Sequence, residues 1–274
     1  MKLLCWNVAG RVRRLAEQAE LVVGARADVV CLQEISVANG PRWQALLAEA
    51  GLTHVRWARP REDHPGRPLC VLTAARGALE EVAVPDLPWP ERVLATRVQA
   101  VEGVERVERV ERVERVEVVE VVNVHSPISP SPGLAKVLTH EAVHTHLAGA
   151  EGPRLVCGDL NTPRKEHPDG RVWTFARTRH GNLRPERGER WDRAELALIK
   201  GLEPLGFRDA FRERHGLERR ELSWEWPRWG GGYRLDHLIV SAEIEVDEVS
   251  YLHDWRAQGL SDHSPLVAVL RARA

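Results

Sequence analysis

Residues 154–164 read RLVCGDLNTPR. The segment RLVCGDL (154–160) has the short apolar run of a buried strand, and Gly, Asn and Pro then mark a turn. Asp159 and Asn161 stand two apart at its end, so strand alternation places both at the C-terminal edge, facing one side. A carboxylate there can activate a water, and an amide beside it can hold that water or a phosphate oxygen. An Asx turn that merely closes the strand uses the same residues. The segment alone leaves both readings open.

The same design recurs outward from this point. KLLCWN (2–7) ends on Asn7, DVVCLQE (28–34) on Glu34, and EVVEVVNVH (117–125) on His125. LDHLIVS (235–241) begins with a carboxylate, Asp236, next to a histidine. Further strands are expected at 54–58, 69–74, 78–84, 92–99, 244–251 and 265–271. Helices are expected at 12–23, at 41–51 between Pro41 and Gly51, at 133–149 and at 189–206. Residues 163–188 read as a long polar loop. Many short strands with few helices predict two packed sheets with helices outside them. No linker divides the chain, so one domain over 1–274 is expected. The triplet repeat VERVERVERVER (104–115) reads as a solvated low-complexity insertion.

Composition removes several function classes. The chain of 274 residues is 43% hydrophobic and 29% charged, which is globular rather than disordered. It has no run of 18 apolar residues to span a membrane, and the apolar start is too short for a signal peptide. Its four cysteines form no CxxC pair and read as small buried hydrophobes in a cytoplasmic protein. A net charge of −1 excludes a uniformly basic nucleic-acid binder, so any polyanion face must be local. Two stretches offer one. Residues 164–193 interleave Arg and Lys with Trp173, Phe175 and Trp191, and residues 208–234 interleave Arg with Trp224, Trp226 and Tyr233. Cations beside aromatics suit phosphate contacts and stacking. The scarcity of Lys is read more simply as codon bias.

Glu34 is the most telling single residue. A carboxylate in an apolar strand costs several kcal/mol without a partner. A hard divalent cation is the natural partner, and oxygen ligands suit Mg²⁺. A rival motif lies at HEAVH (140–144), which fits H-E-x-x-H on a helix and would hold zinc with Glu141 as base.

Taken in order, Asn7, Glu34, His125, GDLN (Asp159, Asn161), RLDH (Asp236) and SDH (Asp262, His263) resemble the endonuclease/exonuclease/phosphatase superfamily. The resemblance runs from position 7 to 263. It implies an α/β fold, a four-layer α/β sandwich of two packed, mainly antiparallel sheets flanked by helices, with two internally related halves. It also implies a divalent-metal phosphoesterase. Glu34 would be the main metal ligand, helped by Asn7 and Asp262. Asp159, with Asn161 beside it, would align and deprotonate the attacking water. His263, steadied by Asp236, would meet the phosphoryl oxygen, and His125 would protonate the leaving oxygen, as in the pancreatic deoxyribonuclease branch that VHSP resembles. GFRDAFRERHG (206–216), SWEW (223–226) and YRLDHLIVS (233–241) resemble the exonuclease III and abasic-endonuclease branch. Arg11, Trp224, Tyr233 and Arg234 are the candidate substrate contacts.

The expectation is therefore a Mg²⁺-dependent DNA phosphodiesterase of the DNA-repair type, with Mn²⁺ as a second occupant. DNA is the expected partner, and neither a membrane nor a protein partner is inferred. A phosphatase or phosphodiesterase of small or lipid phosphoesters is the first alternative, and a zinc metalloprotease through HEAVH the second.

Overall fold

Strand alternation builds two faces, and the protein uses both. The computed structural model describes residues 1–59, 68–99, 118–131, 133–226, 228 and 230–273; the repeat at 104–115 lies outside them. The first part of the chain forms β1 (Lys2–Asn7), α1 (Leu15–Gly24), β2 (Val29–Ser36), α2 (Gly40–Glu49), β3 (His54–Trp57) and β4 (Leu69–Ala75). Then come β5 (Leu79–Val82), β6 (Val93–Gln99), β7 (Val118–His125), α3 (Ala135–Gly149), β8 (Arg154–Asp159), β9 (Lys165–Glu166), β10 (Val172–Trp173) and α4 (Gly188–Ile199). The rest is β11 (Arg208–Asp209), α5 (Ala210–His215), β12 (Trp224–Glu225), β13 (Gly232–Tyr233), β14 (Asp236–Val240), β15 (Ile244–Tyr251), α6 (His253–Ala257) and β16 (Leu266–Ala272).

Two six-stranded sheets result, in the orders β15-β16-β1-β2-β4-β3 and β11-β14-β8-β7-β6-β5. Each holds one parallel pair, β1 with β2 and β7 with β8, connected through α1 and α3. The other pairings are antiparallel. Leu3, Cys5, Val121, Leu155, Cys157 and Leu238 pack between the sheets. The alternate residues Leu4, Trp6, Val30 and Leu32 meet α1 and α2 through Leu15, Trp43 and Leu47. Val122, Val124 and Val156 meet α3 and α4 through Val143, Leu147 and Leu198. Each such side chain, fully buried, contributes about 1.5–3 kcal/mol. These layers, helix, sheet, sheet, helix, are the expected sandwich.

The long strands and the main helices stand within a few residues of the expected places. The 189–206 helix stops at Ile199, and a separate 3₁₀ turn spans Glu203–Leu205. Pro204 has no N–H for a helical bond, which accounts for the break. Residues 163–188 are mostly loop but include the ribbon β9–β10. Sequence periodicity missed α5 and α6, of six and five residues, because they are too short to show a helical repeat. All four cysteines are buried and free. Among the described residues no helix is long and apolar enough to cross a membrane.

Candidate active site

The columns of inward-facing residues end in polar groups. Leu3 and Cys5 on β1 lead to Asn7, Val121 and Asn123 on β7 to His125, and Leu155 and Cys157 on β8 to Asp159. Antiparallel β14 begins at the same end, with Asp236 paired to Asp159. Thus the two parallel pairs and one antiparallel neighbour place their polar ends together.

Asn7 joins the sheets. Its Nδ2 donates to Glu34 Oε1 at 3.1 Å and to Asp159 Oδ2 at 3.0 Å, while its Oδ1 accepts from Ala9 N at 2.9 Å. In this arrangement the Asn7 amide bridges the two carboxylates, and its oxygen faces Ala9 N. Glu34 owes its position to a β-bulge. The β2–β4 register runs to Leu32↔Leu72 and resumes at Ile35↔Cys70, so two residues of β2 oppose one of β4. Ile35 rejoins the outer apolar cluster, and Glu34 is left with φ +60°. Ala9 and Asn161 also take positive φ, at 55° and 51°. Side chains with Cβ rarely adopt that region, and such strain gathers at functional sites.

His263 Nδ1 lies 2.8 Å from Asp236 Oδ2, and its Nε2 lies 3.7 Å from Asp159 Oδ2. Burial works against a charged ring, but Asp236, Asp159 and Asp262 outweigh it and push the His263 pKa up to about 10. Asp159 moves up as well, to about 7, because burial, Asp236 and Glu34 disfavour its charge more than His263 favours it. His125 differs. Arg92 Nη1 donates to its Nδ1 at 2.5 Å, and because a guanidinium only donates, the ring must be neutral there. Burial, Arg92 and His263 hold its pKa well below the usual value. With Nδ1 accepting from Arg92, the proton of the neutral ring sits on Nε2. The ring lies 3.6 Å from Glu34 and 3.9 Å from Asp159 through Nε2.

The GDLN turn is braced from behind. Asn161 N donates to Asp159 Oδ1 at 2.9 Å and Asn161 Nδ2 to Ser126 O at 2.8 Å. Asn161 stands two residues past the end of β8 in a left-handed conformation, so the turn, rather than strand alternation, sets its direction. Lys136 Nζ, fully buried, reaches Asn161 O at 2.7 Å and Glu195 Oε1 at 2.8 Å. Glu195 Oε2 accepts from Thr162 Oγ1 at 2.9 Å and Phe175 N at 2.8 Å.

Asp262 stands beside this group and accepts from Trp224 Nε1 at 3.0 Å. Trp224 stacks nearly parallel on Tyr233, with centroids 6.0 Å apart, and meets Trp226 edge-on at 4.6 Å. Phe175 meets Tyr233 at 5.1 Å. An aromatic wall is therefore fixed to the loop that carries Asp262 and His263. Arg11 is exposed in the loop after Asn7. Arg234 is not available to a substrate as expected: it is 1% exposed in its side chain, with Nη2 2.6 Å from Glu166 Oε1 and 2.7 Å from Asp209 Oδ2. Many of the arginines that formed the expected basic faces are likewise paired, including Arg177 with Asp192, Arg190 with Glu141 and Arg212 with Glu166.

A divalent cation fits this donor set. Glu34, Asp159, Asp236 and Asp262 concentrate carboxylate oxygens, and Asp236 Oδ1 is buried without a hydrogen-bond partner. Asp159, Asp236 and His263 each bring one ligand atom within 4.8 Å of the others, and Nδ1 of His263 is engaged by Asp236. Glu34, whose side chain is 24% exposed, offers the more open carboxylate. HEAVH forms no such site. His140 is buried between Ser126 Oγ at 2.8 Å and Ala194 O at 3.2 Å, His144 points to Gly201 O, and Glu141 is bound by Arg190. The zinc-protease reading is thereby removed.

A family model described as the Endonuclease/Exonuclease/phosphatase family matches residues 4–263. The chain belongs to this family. No curated protein matches the sequence. An AP endonuclease from Archaeoglobus fulgidus has the same fold at 21% identity and a TM-score of 0.70, covering 98% of each chain. The Xenopus laevis APE2 catalytic domain superimposes with a TM-score of 0.68 at 20% identity, over 100% of this chain and 92% of that one. The 3′ phosphatase NExo from Neisseria, bound to a product DNA hairpin, does so at 0.65 and 22% identity over 99% of both. The family match explains why motifs scattered over the whole chain meet at one end of the sandwich.

Sequence reasoning missed three supports of this family site. Arg92 had no motif and read only as the start of a strand. Lys136 left a trace: it is in phase with the buried His140, Val143 and Leu147 on α3. Asn123 left another, as an amide inside a run of valines.

Proposed function

We propose that the protein is a divalent-metal-dependent phosphodiesterase that cuts DNA, of the exonuclease III and abasic-endonuclease type. The observation that carries this reading is the meeting of Glu34 with Asp159, through Asn7, beside the His263–Asp236 pair. Such an arrangement suits in-line displacement at phosphorus. A bound divalent cation would supply Lewis acidity at a phosphoryl oxygen, with Glu34 and Asp262 as its carboxylate ligands. Asp159, with a pKa near 7, is matched to accept the proton of an attacking water near neutral pH. Asn161 N fixes the Asp159 carboxylate. The cationic His263 would stabilise the negative charge that develops on the phosphoryl oxygens. Arg92 adds a second cation, and neutral His125 holds its guanidinium.

DNA is favoured over a small ester by the aromatic wall, whose Trp226 is 45% exposed and meets Trp224, the ring bonded to Asp262. Exposed aromatic rings near a phosphate site can stack on bases or sugars. The names of the Archaeoglobus and Neisseria neighbours agree with this choice. The phosphatase alternative uses the same machinery and is supported by the 3′ phosphatase among those neighbours. A Mg²⁺-dependent cleavage screen tests the proposal on duplex DNA, abasic duplex, single strands, RNA, 3′-phosphorylated ends and a small phosphodiester. Cutting of internal DNA linkages is expected. Hydrolysis of the small ester or the terminal phosphate alone would replace the nuclease reading with the phosphatase one.

A further inference from the structure

The bulge that presents Glu34 breaks the ladder of a buried strand. Leu32 and Leu72 are the last pair in register before that break. Asn123, fully buried on β7 of the opposite sheet, meets both: its Nδ2 donates to Leu72 O at 2.9 Å and to Leu32 O at 3.3 Å. Its Oδ1 accepts from Gln33 Nε2 at 2.8 Å, and Gln33 is the other bulged residue. Gln33 O in turn accepts from Val8 N, next to Asn7. A single amide therefore bonds to both strands at the edge of the bulge and to bulged Gln33, and ties them to the strand that ends in His125.

We infer that Asn123 is a positioning residue for Glu34, an amide clasp across the two sheets that fixes the bulge and so sets the carboxylate against Asp159 and His125. Ordinary packing would not need it: the other inward-facing residues of β7 below it are Val119 and Val121, and a third apolar side chain would fill the same column. What valine or leucine cannot do is donate to two carbonyls and accept from Gln33. The inference rests on Glu34 being the metal ligand in the reading above.

Outer partners of metal ligands typically govern affinity by about 10–100-fold. Asn123→Leu keeps the volume and removes the bonds. Titration calorimetry of the purified protein with Mn²⁺ should show binding weaker by about that factor. Val121→Ala, a cavity in the same column, is the control for general loosening and should leave Mn²⁺ affinity unchanged. Unchanged affinity in Asn123→Leu, or an equal loss in both variants, overturns the inference. If Asn123→Leu does not fold, Gln33→Met breaks the clasp from the other side and is judged by the same two outcomes. Glu34→Gln separates the inference from its basis: Mn²⁺ affinity unaffected by that change overturns the ligand assignment and the clasp role with it, whereas a loss there beside a silent Asn123→Leu overturns the clasp alone.

Discussion

The two sheets repeat one plan. Read from one edge, β15-β16-β1-β2-β4-β3 and β5-β6-β7-β8-β14-β11 share the same sequence of strand senses, with the parallel pair third and fourth. Asn7 and His125 end the third strands at equivalent places, and Arg92 and His263 precede the second strands. Yet the halves reach polar function differently. In the first, a bulge inside β2 ejects Glu34, and an amide from the other half supports it. In the second, Asp159 stays in its ladder, and the turn after it is held by the buried Lys136–Glu195 pair. One half is built to hold an open carboxylate, the other to hold a buried one whose pKa lies near 7.

The largest effects should separate the halves by kinetics. Glu34→Gln is expected to abolish metal-dependent cleavage, a loss of roughly 10³-fold or more, the scale of removing a principal catalytic group. It should also weaken Mn²⁺ binding while leaving thermal unfolding nearly unchanged. Asp159→Asn should lower kcat on a similar scale with a smaller change in metal affinity. If both variants lost metal binding equally, the division of labour would be wrong, and Asp159 would join the ligands.

The ion pair behind the GDLN turn comes next. Lys136→Met leaves Glu195 charged and buried, which should destabilise the protein by about 3–5 kcal/mol in urea unfolding. Lys136→Met combined with Glu195→Leu removes both charges and should recover much of that loss. Turnover should stay low in the double variant, because Asn161 O and Thr162 Oγ1 lose their partners. Recovered turnover along with stability would reduce the pair to packing.

These two supports also mark where sequence reading ends. The columns ending in Asn7, His125 and Asp159 were legible because alternation is a local rule and each column ends at a strand terminus. Glu34 was legible as an anomaly, a carboxylate in an apolar run, but its bulge was not, since register depends on β4, more than thirty residues away. Lys136 and Glu195 stand 59 positions apart, so their pairing has no sequence signal. Arg234 was misjudged for a related reason: its stretch of chain interleaves arginines with aromatics and so reads as a basic face, while its charge partners Glu166 and Asp209 come from other elements.

The protonation of His263 offers a smaller but sharper test in metal-free protein. Its pKa, near 10, is raised above the ordinary value of 6.5. The pair with Asp236 therefore adds stability that is fully present below pH 6.5 and is lost as pH rises through 10. NMR of the imidazole should find the ring charged at pH 8. In Asp236→Asn, burial acts with less opposition, so the ring should titrate far lower and the stability loss between pH 6.5 and 10 should shrink. A wild-type ring that is neutral at pH 8 would remove the cation that precedes β16 in the first half.

The smallest effect belongs to the aromatic wall, which lies between α5 and β14 in the second half. Its Trp224 bonds to Asp262, so replacing it would disturb the site itself. Tyr233 is the cleaner probe, because its contacts are to Trp224 and Phe175 rings rather than to the carboxylates. A missing base makes extrusion of its sugar cheaper, and a fitted wall converts that into selectivity. Tyr233→Ala should cut the preference for an abasic over an intact duplex by about fivefold, near 1 kcal/mol of stacking. The steep fall of activity with salt should persist, since phosphate contacts rather than this ring set it. Equal wild-type rates on matched duplexes with and without one abasic site would leave the wall without that task and spare the nuclease reading. A Tyr233→Ala variant that lost all cleavage with metal affinity intact would instead place the ring in contact with the reacting sugar.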